Sequence, residues 1–362
     1  MNLELTEEQL ALRDTVREFL AEKASVAGLV RPMLDDPTGS SDDVWRGLAR
    51  LGATGVLVSD EHDGAGMTMV EAGVVAEELG AALYPGPWLS SAVAATRALT
   101  RTGADGGLLA GIADGTVIAT VGGLTGPRPT ADASLLRGEL TAVPDVAAAT
   151  VLLVLADDAG GTALYAVEPA SDQVGVTARS HVDPTHKLFD VVLDSAQARR
   201  LADASADVVE ALVDDVIIAR AADAVGAANA VMSLAVDYAK VRRQFDQPIG
   251  SFQAVQHLCV DMYESVELAR SGVIHALWAA DAAEPSERHG AALRAKAFAG
   301  RLTSVGYTAI QVFGGIGFTW EHDAHLYLKR LLGWSSFLGA PDRYLETVGA
   351  LLVSELDRKV LQ

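Results

Sequence analysis

The sequence predicts an α+β chain in three consecutive parts: an N-terminal helical domain (1–115), a middle antiparallel β domain (116–200) and a C-terminal long-helix bundle (201–362). Three observations carry this. Apolar residues recur at helical spacing up to about residue 102. Short runs of branched residues, separated by Gly, Pro and Asp, then fill the stretch from Val117 to Leu193. From about residue 205 the texture is helical to the end, with no proline between Ser205 and Val241.

Taken in order, Thr6-Glu7-Glu8-Gln9 opens the first helix with a near capping box, and Leu10, Val16, Phe19 and Leu20 supply its apolar stripe. Helical patterns follow at 42–52, 69–80 and 88–102. Between the first two, Asp60-Glu61-His62-Asp63-Gly64-Ala65-Gly66-Met67 reads as a turn, because three acids and no Lys or Arg make a poor phosphate cradle. His62 is expected to be an exposed loop histidine. Glu77 and Glu78 are adjacent on a helix, face different ways and cannot act as a catalytic pair.

Strand texture then appears in Val117–Val121, Ser134–Leu140, Val151–Leu155, Leu164–Val167, Val174–Thr177 and Phe189–Leu193. Strands succeed one another without helices, and no Gly-x-Gly-x-x-Gly follows one, so a parallel dinucleotide-binding sheet is excluded. The segment 205–241 is apolar on more than one side, as a helix buried in a bundle is. Helices are expected next at 252–282 with Ser251 as N-cap, at 287–313, at 323–331 with Asp323 as N-cap, and at 341–358.

Composition bounds the function. Half the residues are hydrophobic and the net charge is −20, which excludes a nucleic-acid partner that needs a basic face. The lone cysteine, Cys259, permits no internal disulfide and reads as a structural thiol. The acidic N-terminus lacks a leader pattern, and no apolar run approaches the ~18 residues of a membrane span. A cytoplasmic protein is expected.

The candidate binding site is Arg242-Arg243-Gln244-Phe245-Asp246-Gln247-Pro248-Ile249-Gly250-Ser251-Phe252-Gln253, continuing to His257. A guanidinium at one helix C-terminus, close to the free N–H groups of the next helix, suits an anion such as a diphosphate. The same arginines would also complement the helix dipole. Together with Gln311-Val312-Phe313-Gly314-Gly315-Ile316-Gly317-Phe318-Thr319, this pattern resembles the two late motifs of the acyl-CoA dehydrogenase family of flavoproteins.

The resemblance implies the three-part fold and FAD-dependent α,β-dehydrogenation of an acyl-CoA thioester to the enoyl-CoA. It also implies that both motifs reach across a subunit interface to the ADP half of a neighbour's FAD. Arg242 would hold the diphosphate, Gln244 and Phe245 would flank the adenosine side, and Phe252, Gln253, Gln311, Gly314 and Gly315 would complete the seat. His257 is assigned a hydrogen bond within the bundle.

The flavin-ring half departs from the family. Ala119–Arg128 replaces its Thr-Glu-Pro-Gly-x-Gly-Ser-Asp run, and its Trp-x-Thr is missing. Leu338 stands where most members carry the glutamate base, and the other branch's position falls near Val216. No catalytic residue is assigned; Asp214 and Asp215 are the fallback candidates. Trp320-Glu321-His322-Asp323-Ala324-His325 is similar to a phrase in a bacterial branch that includes members acting on steroid side chains, and no metal is expected there.

The expected partners are an acyl-CoA substrate, an electron-transfer acceptor and further subunits. Those subunits form either a homo-oligomer or a heterotetramer with a catalytic acyl-CoA dehydrogenase chain. Three alternatives stand: a subunit lending the outer half of a shared FAD site, a self-sufficient homomeric enzyme with a displaced base, and a flavin-free scaffold.

Overall fold

The structure, a computed structural model, describes residues 4–104 and 106–360, with side chains described as far as residue 353. The N-terminal helices are α1 (Glu7–Lys23), α2 (Arg31–Met33), α3 (Asp42–Arg50), α4 (Met69–Ala81), α5 (Thr96–Thr102) and α6 (Gly106–Ala113). The capping box forms: the Thr6 hydroxyl accepts the Gln9 N–H at 3.3 Å, and the Gln9 side chain accepts the Thr6 N–H at 2.9 Å. Helix α6 was not expected, because a short segment with two leading glycines gives little helical signal.

The 60–67 stretch is a turn, tied back by Gly64, Ala65, Gly66 and Met67 N–H groups to carbonyls between Gly55 and Ser59. A Cβ on Gly64 would lie 2.1 Å from the Val58 carbonyl oxygen, so only glycine fits. His62 corrects its expected exposure. It is half-buried, with its ring over Gly106 at the start of α6.

The middle region holds β1 (Ala119–Gly122), β2 (Thr130–Asp132), β3 (Leu135–Pro144), β4 (Val151–Asp158), β5 (Gly161–Val167), β6 (Val174–Arg179) and β7 (Leu188–Asp203). Antiparallel pairing dominates, while β1 runs parallel to β4, and β2 meets β4 in parallel at Thr130 and Asp157. The ladder β4-β2-β3-β7-β5 returns to β4 and closes on itself. Register shifts at Leu136/Arg137, Leu140/Val143 and Leu164/Tyr165 let the strands bend around an apolar interior.

The C-terminal bundle is built around α7 (Ala206–Val241), whose 36 residues span about 54 Å at ~1.5 Å each. Ser205 caps it by accepting the Val208 N–H. Helix α4 crosses α7 at backbone contact, because a Cβ on Gly80 would sit 1.9 Å from the Asp223 oxygen and one on Gly226 1.8 Å from the Glu77 oxygen. The hairpin β8 (Arg243–Gln244) and β9 (Gln247–Pro248) leads to α8 (Gln253–Ala282), α9 (Pro285–Ala299), α10 (Thr303–Phe313), α11 (Ala324–Ser336) and α12 (Pro341–Val360).

Two expected features are corrected, and a third, the Asp323 N-cap position, holds with a different side-chain partner. The 287–313 helix breaks at Gly300–Leu302, where Gly300 packs against Pro341. Ser251 donates to the Pro248 carbonyl at 2.7 Å, leaving Phe252 in the N-cap position of α8. Asp323 precedes α11 but gives its carboxylate to Arg31 at 2.7 and 2.9 Å; His322 Nδ1 accepts the Ala324 N–H instead.

One buried network joins all three regions. Arg330 on α11 donates to both Asp223 oxygens (2.9 and 2.6 Å), to Thr185 (2.8 Å) and to the Tyr84 carbonyl (3.2 Å). Asp183 accepts from Thr185 and bonds His186 at 2.9 Å. Burial, followed by the Arg330 charge, lowers His186 to about 4, so the imidazole is neutral at pH 7.

Candidate functional site

Two features carry possible chemistry. The first is the surface built by the two late motifs. Arg242 ends α7; its N–H donates to the Tyr238 carbonyl and its own carbonyl accepts the Ile249 N–H, both at 2.8 Å. The hairpin turn puts Phe245 (φ +50°) and Asp246 (φ +65°) in the left-handed region, and Arg243 donates to the Asp246 carbonyl to hold it. Left-handed backbone is costly for a bulky side chain, and Phe245 is also 86% exposed, with one edge-on contact to Phe252.

Tyr238, one turn before Arg242, packs its ring at 5.1 Å and a tilted angle against Phe313, which immediately precedes the glycine motif. The end of α7 and the end of α10 therefore lie side by side. Gly314 (φ +66°) caps α10, and a Cβ added at Gly314 or Gly315 would meet nothing within 4 Å. Arg242, Gln244, Phe245, Gln253, Gln311, Gly314 and Gly315 are exposed and Phe252 is half-buried. This surface is open and floored by glycine. A guanidinium suits a diphosphate and an aromatic ring an adenine base.

The second feature is a cleft of about 840 Å³ between the β domain and the bundle. Val121–Arg128, the stretch without the family's expected run, forms one wall. Val216 and Leu338, the two positions compared with the family's bases, both line the cleft and are apolar.

The fallback bases are elsewhere. Asp215 is fully buried and clamped by Arg101 at 2.5 and 2.8 Å. Asp214 bonds His289 Nδ1 at 3.0 Å, and neither aspartate lines the cleft. Their positions on α7 point them at α5 and α9, so they tie helices together.

His289 also lies 4.0 Å from Glu210, and the hydrogen bond to Asp214 raises its pKa. A raised folded-state pKa adds stability below the unfolded value, which is lost as pH rises through the folded one. His289→Gln is therefore expected to lower the denaturation midpoint at about pH 5.5 and to leave it nearly unchanged at about pH 9.

The two histidines of the Trp320–His325 phrase have structural contacts. His322 packs at a tilted angle against Phe313 at 4.2 Å, and the His325 ring meets Trp320 edge-on at 4.6 Å. Arg220 was missed. It is an arginine within a run of small apolar residues, and it lines the cleft.

The chain thus combines a three-part helix–strand–helix fold with an exposed glycine-floored surface and a separate internal cleft, the layout expected from the two late motifs. Residues 6–106 match the model of the acyl-CoA dehydrogenase N-terminal domain and residues 185–351 that of the C-terminal domain. Acyl-CoA dehydrogenase IpdE2 of Mycobacterium tuberculosis is 32% identical, over 94% of this chain and 95% of its own length. This chain belongs to the acyl-CoA dehydrogenase family.

Acyl-CoA dehydrogenase FadE34 of the same organism is 36% identical over 98% of this chain, which spans only 49% of FadE34. The ChsE4–ChsE5 complex of Mycobacterium tuberculosis superposes with a TM-score of 0.88 at 26% identity, covering 98% of this chain and 99% of that one. Solved chains sharing the fold at 19% identity include FAD complexes. No helix among the described residues is long and apolar enough to cross a membrane.

Proposed function

We propose that this chain is a subunit of an acyl-CoA dehydrogenase and lends the outward half of a shared FAD site to a neighbouring chain, which carries the catalytic base. The observation that carries this reading is an asymmetry. Phe245 is held outward at a backbone cost and Gly314 and Gly315 are left open, while the chain's own cleft presents Val216 and Leu338 where an acid would act.

In this reading Arg242 grips the diphosphate, Gln244, Gln253 and Gln311 supply donors and acceptors, and Phe245 and Phe252 cover the adenosine. FAD, when bound, supplies the hydride acceptor for the substrate's β-carbon. Asp214 and Asp215 are engaged in ion pairs away from the cleft, so the self-sufficient alternative lacks its nearest bases. A heteromeric partner is favoured by the likeness to the ChsE4–ChsE5 complex. A steroid or fatty acyl-CoA is the substrate class, with an electron-transfer protein as acceptor.

The test is to purify the chain alone and together with a co-expressed relative bearing the glutamate. The chain alone is expected to carry little flavin and to reduce no dye with acyl-CoAs. Stoichiometric flavin with turnover in the lone chain would refute the proposal.

A further inference from the structure

We propose that the internal cleft of this chain binds an apolar ligand bearing a carboxylate, with Arg220 as the group that receives the carboxylate. Arg220 sits on α7 and is only 8% exposed, yet it lines the cleft. Its guanidinium lies over the Phe337 ring at 4.2 Å. Of the neighbouring acids whose charge it feels, Asp223 gives both oxygens to Arg330, Asp183 bonds Thr185 and His186, and Asp145 takes the Ser90 hydroxyl on one oxygen while its other oxygen has no partner; none of them bonds Arg220.

Among the described residues Arg220 has no hydrogen-bond partner in the protein, and its nitrogens are not among the polar atoms sealed from solvent. The cleft is what they face. A guanidinium carries five N–H donors, and those of Arg220 are open to a ligand in the cleft.

The other arginines at the cleft are already paired, Arg128 with Thr162 and Asp157, and Arg179 with both Asp190 oxygens. A planar fork stacked on an aromatic face matches a carboxylate in two-point contact. Around it Val216, Ala219, Leu338 and Leu89 offer apolar wall to the rest of the ligand. Val216 and Arg220 are one helical turn apart on the same face of α7. One helical turn from Val216, this chain presents a group that stays protonated. The cleft therefore offers an anion a fixed cation beside an apolar wall.

This inference does not rest on the shared FAD seat, and the experiment reads the two separately. Adipoyl-CoA, hexanoyl-CoA, free adipate and inorganic phosphate are titrated calorimetrically into the full chain, or into its complex with the partner, and flavin content is recorded on the same samples. Adipoyl-CoA is expected to bind roughly 10- to 100-fold more tightly than hexanoyl-CoA, as a charge-assisted hydrogen bond allows.

Arg220→Met should abolish that preference with hexanoyl-CoA affinity and flavin content unchanged, and Arg220→Lys should retain part of it. Tight binding of adipate alone also supports the proposal and identifies a free acid as the source. Equal affinities for the two thioesters with no binding of adipate would overturn it without needing any variant. Displacement by phosphate, a preference that survives Arg220→Met, or loss of flavin in Arg220→Met would overturn it as well.

Discussion

Replacing Arg330 with methionine is expected to lower unfolding stability by about 3–5 kcal/mol, the usual cost of breaking a buried ion pair by removing one partner. Arg330 is 2% exposed and Asp223 3% exposed, so the orphaned carboxylate would have no water to turn to. The loss reaches beyond one pair. Thr185 and the Tyr84 carbonyl lose their donor too, and these groups come from the β domain and the N-terminal helices.

The control separates the pair from its burial. Asp223→Leu combined with Arg330→Met removes both charges, and the double variant should be clearly more stable than Arg330→Met alone. Denaturant midpoints read this directly. A single variant within about 1 kcal/mol of the parent, or a double variant no better than the single, would show that Arg330 does not hold the regions together.

This network also marks where reading the chain ran out. Helix α7 and the strand series were legible because their patterns are local: a proline-free apolar run, and short branched segments between turn residues. The family resemblance was legible in the Arg242 and Gly314 motifs because each is a contiguous phrase. Arg330, Asp223 and Thr185 are 107 and 145 residues apart in sequence, and nothing local says that they meet.

Arg220 was hidden for a related reason. Its meaning lies in having no partner, which only three dimensions reveal. Asp214 and Asp215 failed in the opposite direction. As adjacent acids they looked available, but Arg101, Arg97 and His289 from other helices occupy them. The break at Gly300 escaped detection because an isolated glycine is tolerated in a helix, and Pro341, which it packs on, lies far along the chain.

Arg242→Ala should weaken flavin retention by the assembled complex roughly 10- to 100-fold, the worth of a charge-assisted contact to a phosphate, while leaving the fold intact. Stability should hold because the Arg242 side chain is exposed and its helix-ending hydrogen bonds are made by backbone atoms. Those two readouts together distinguish a seat from a strut. A residue that only complements the α7 dipole would change stability by a few tenths of a kcal/mol and flavin content not at all.

Arg242→Lys adds a second discrimination, since a point charge keeps the electrostatic attraction but loses the two-pronged geometry, and should recover only part of the affinity. The gap between the parent and Arg242→Ala should also narrow as ionic strength rises, because salt screens a partly solvated charge contact. Flavin absorbance of the purified complex, measured across salt for the parent and both variants, decides the matter. Full flavin occupancy in Arg242→Ala at every salt concentration would leave Phe245 and the open glycines without the ligand assigned to them.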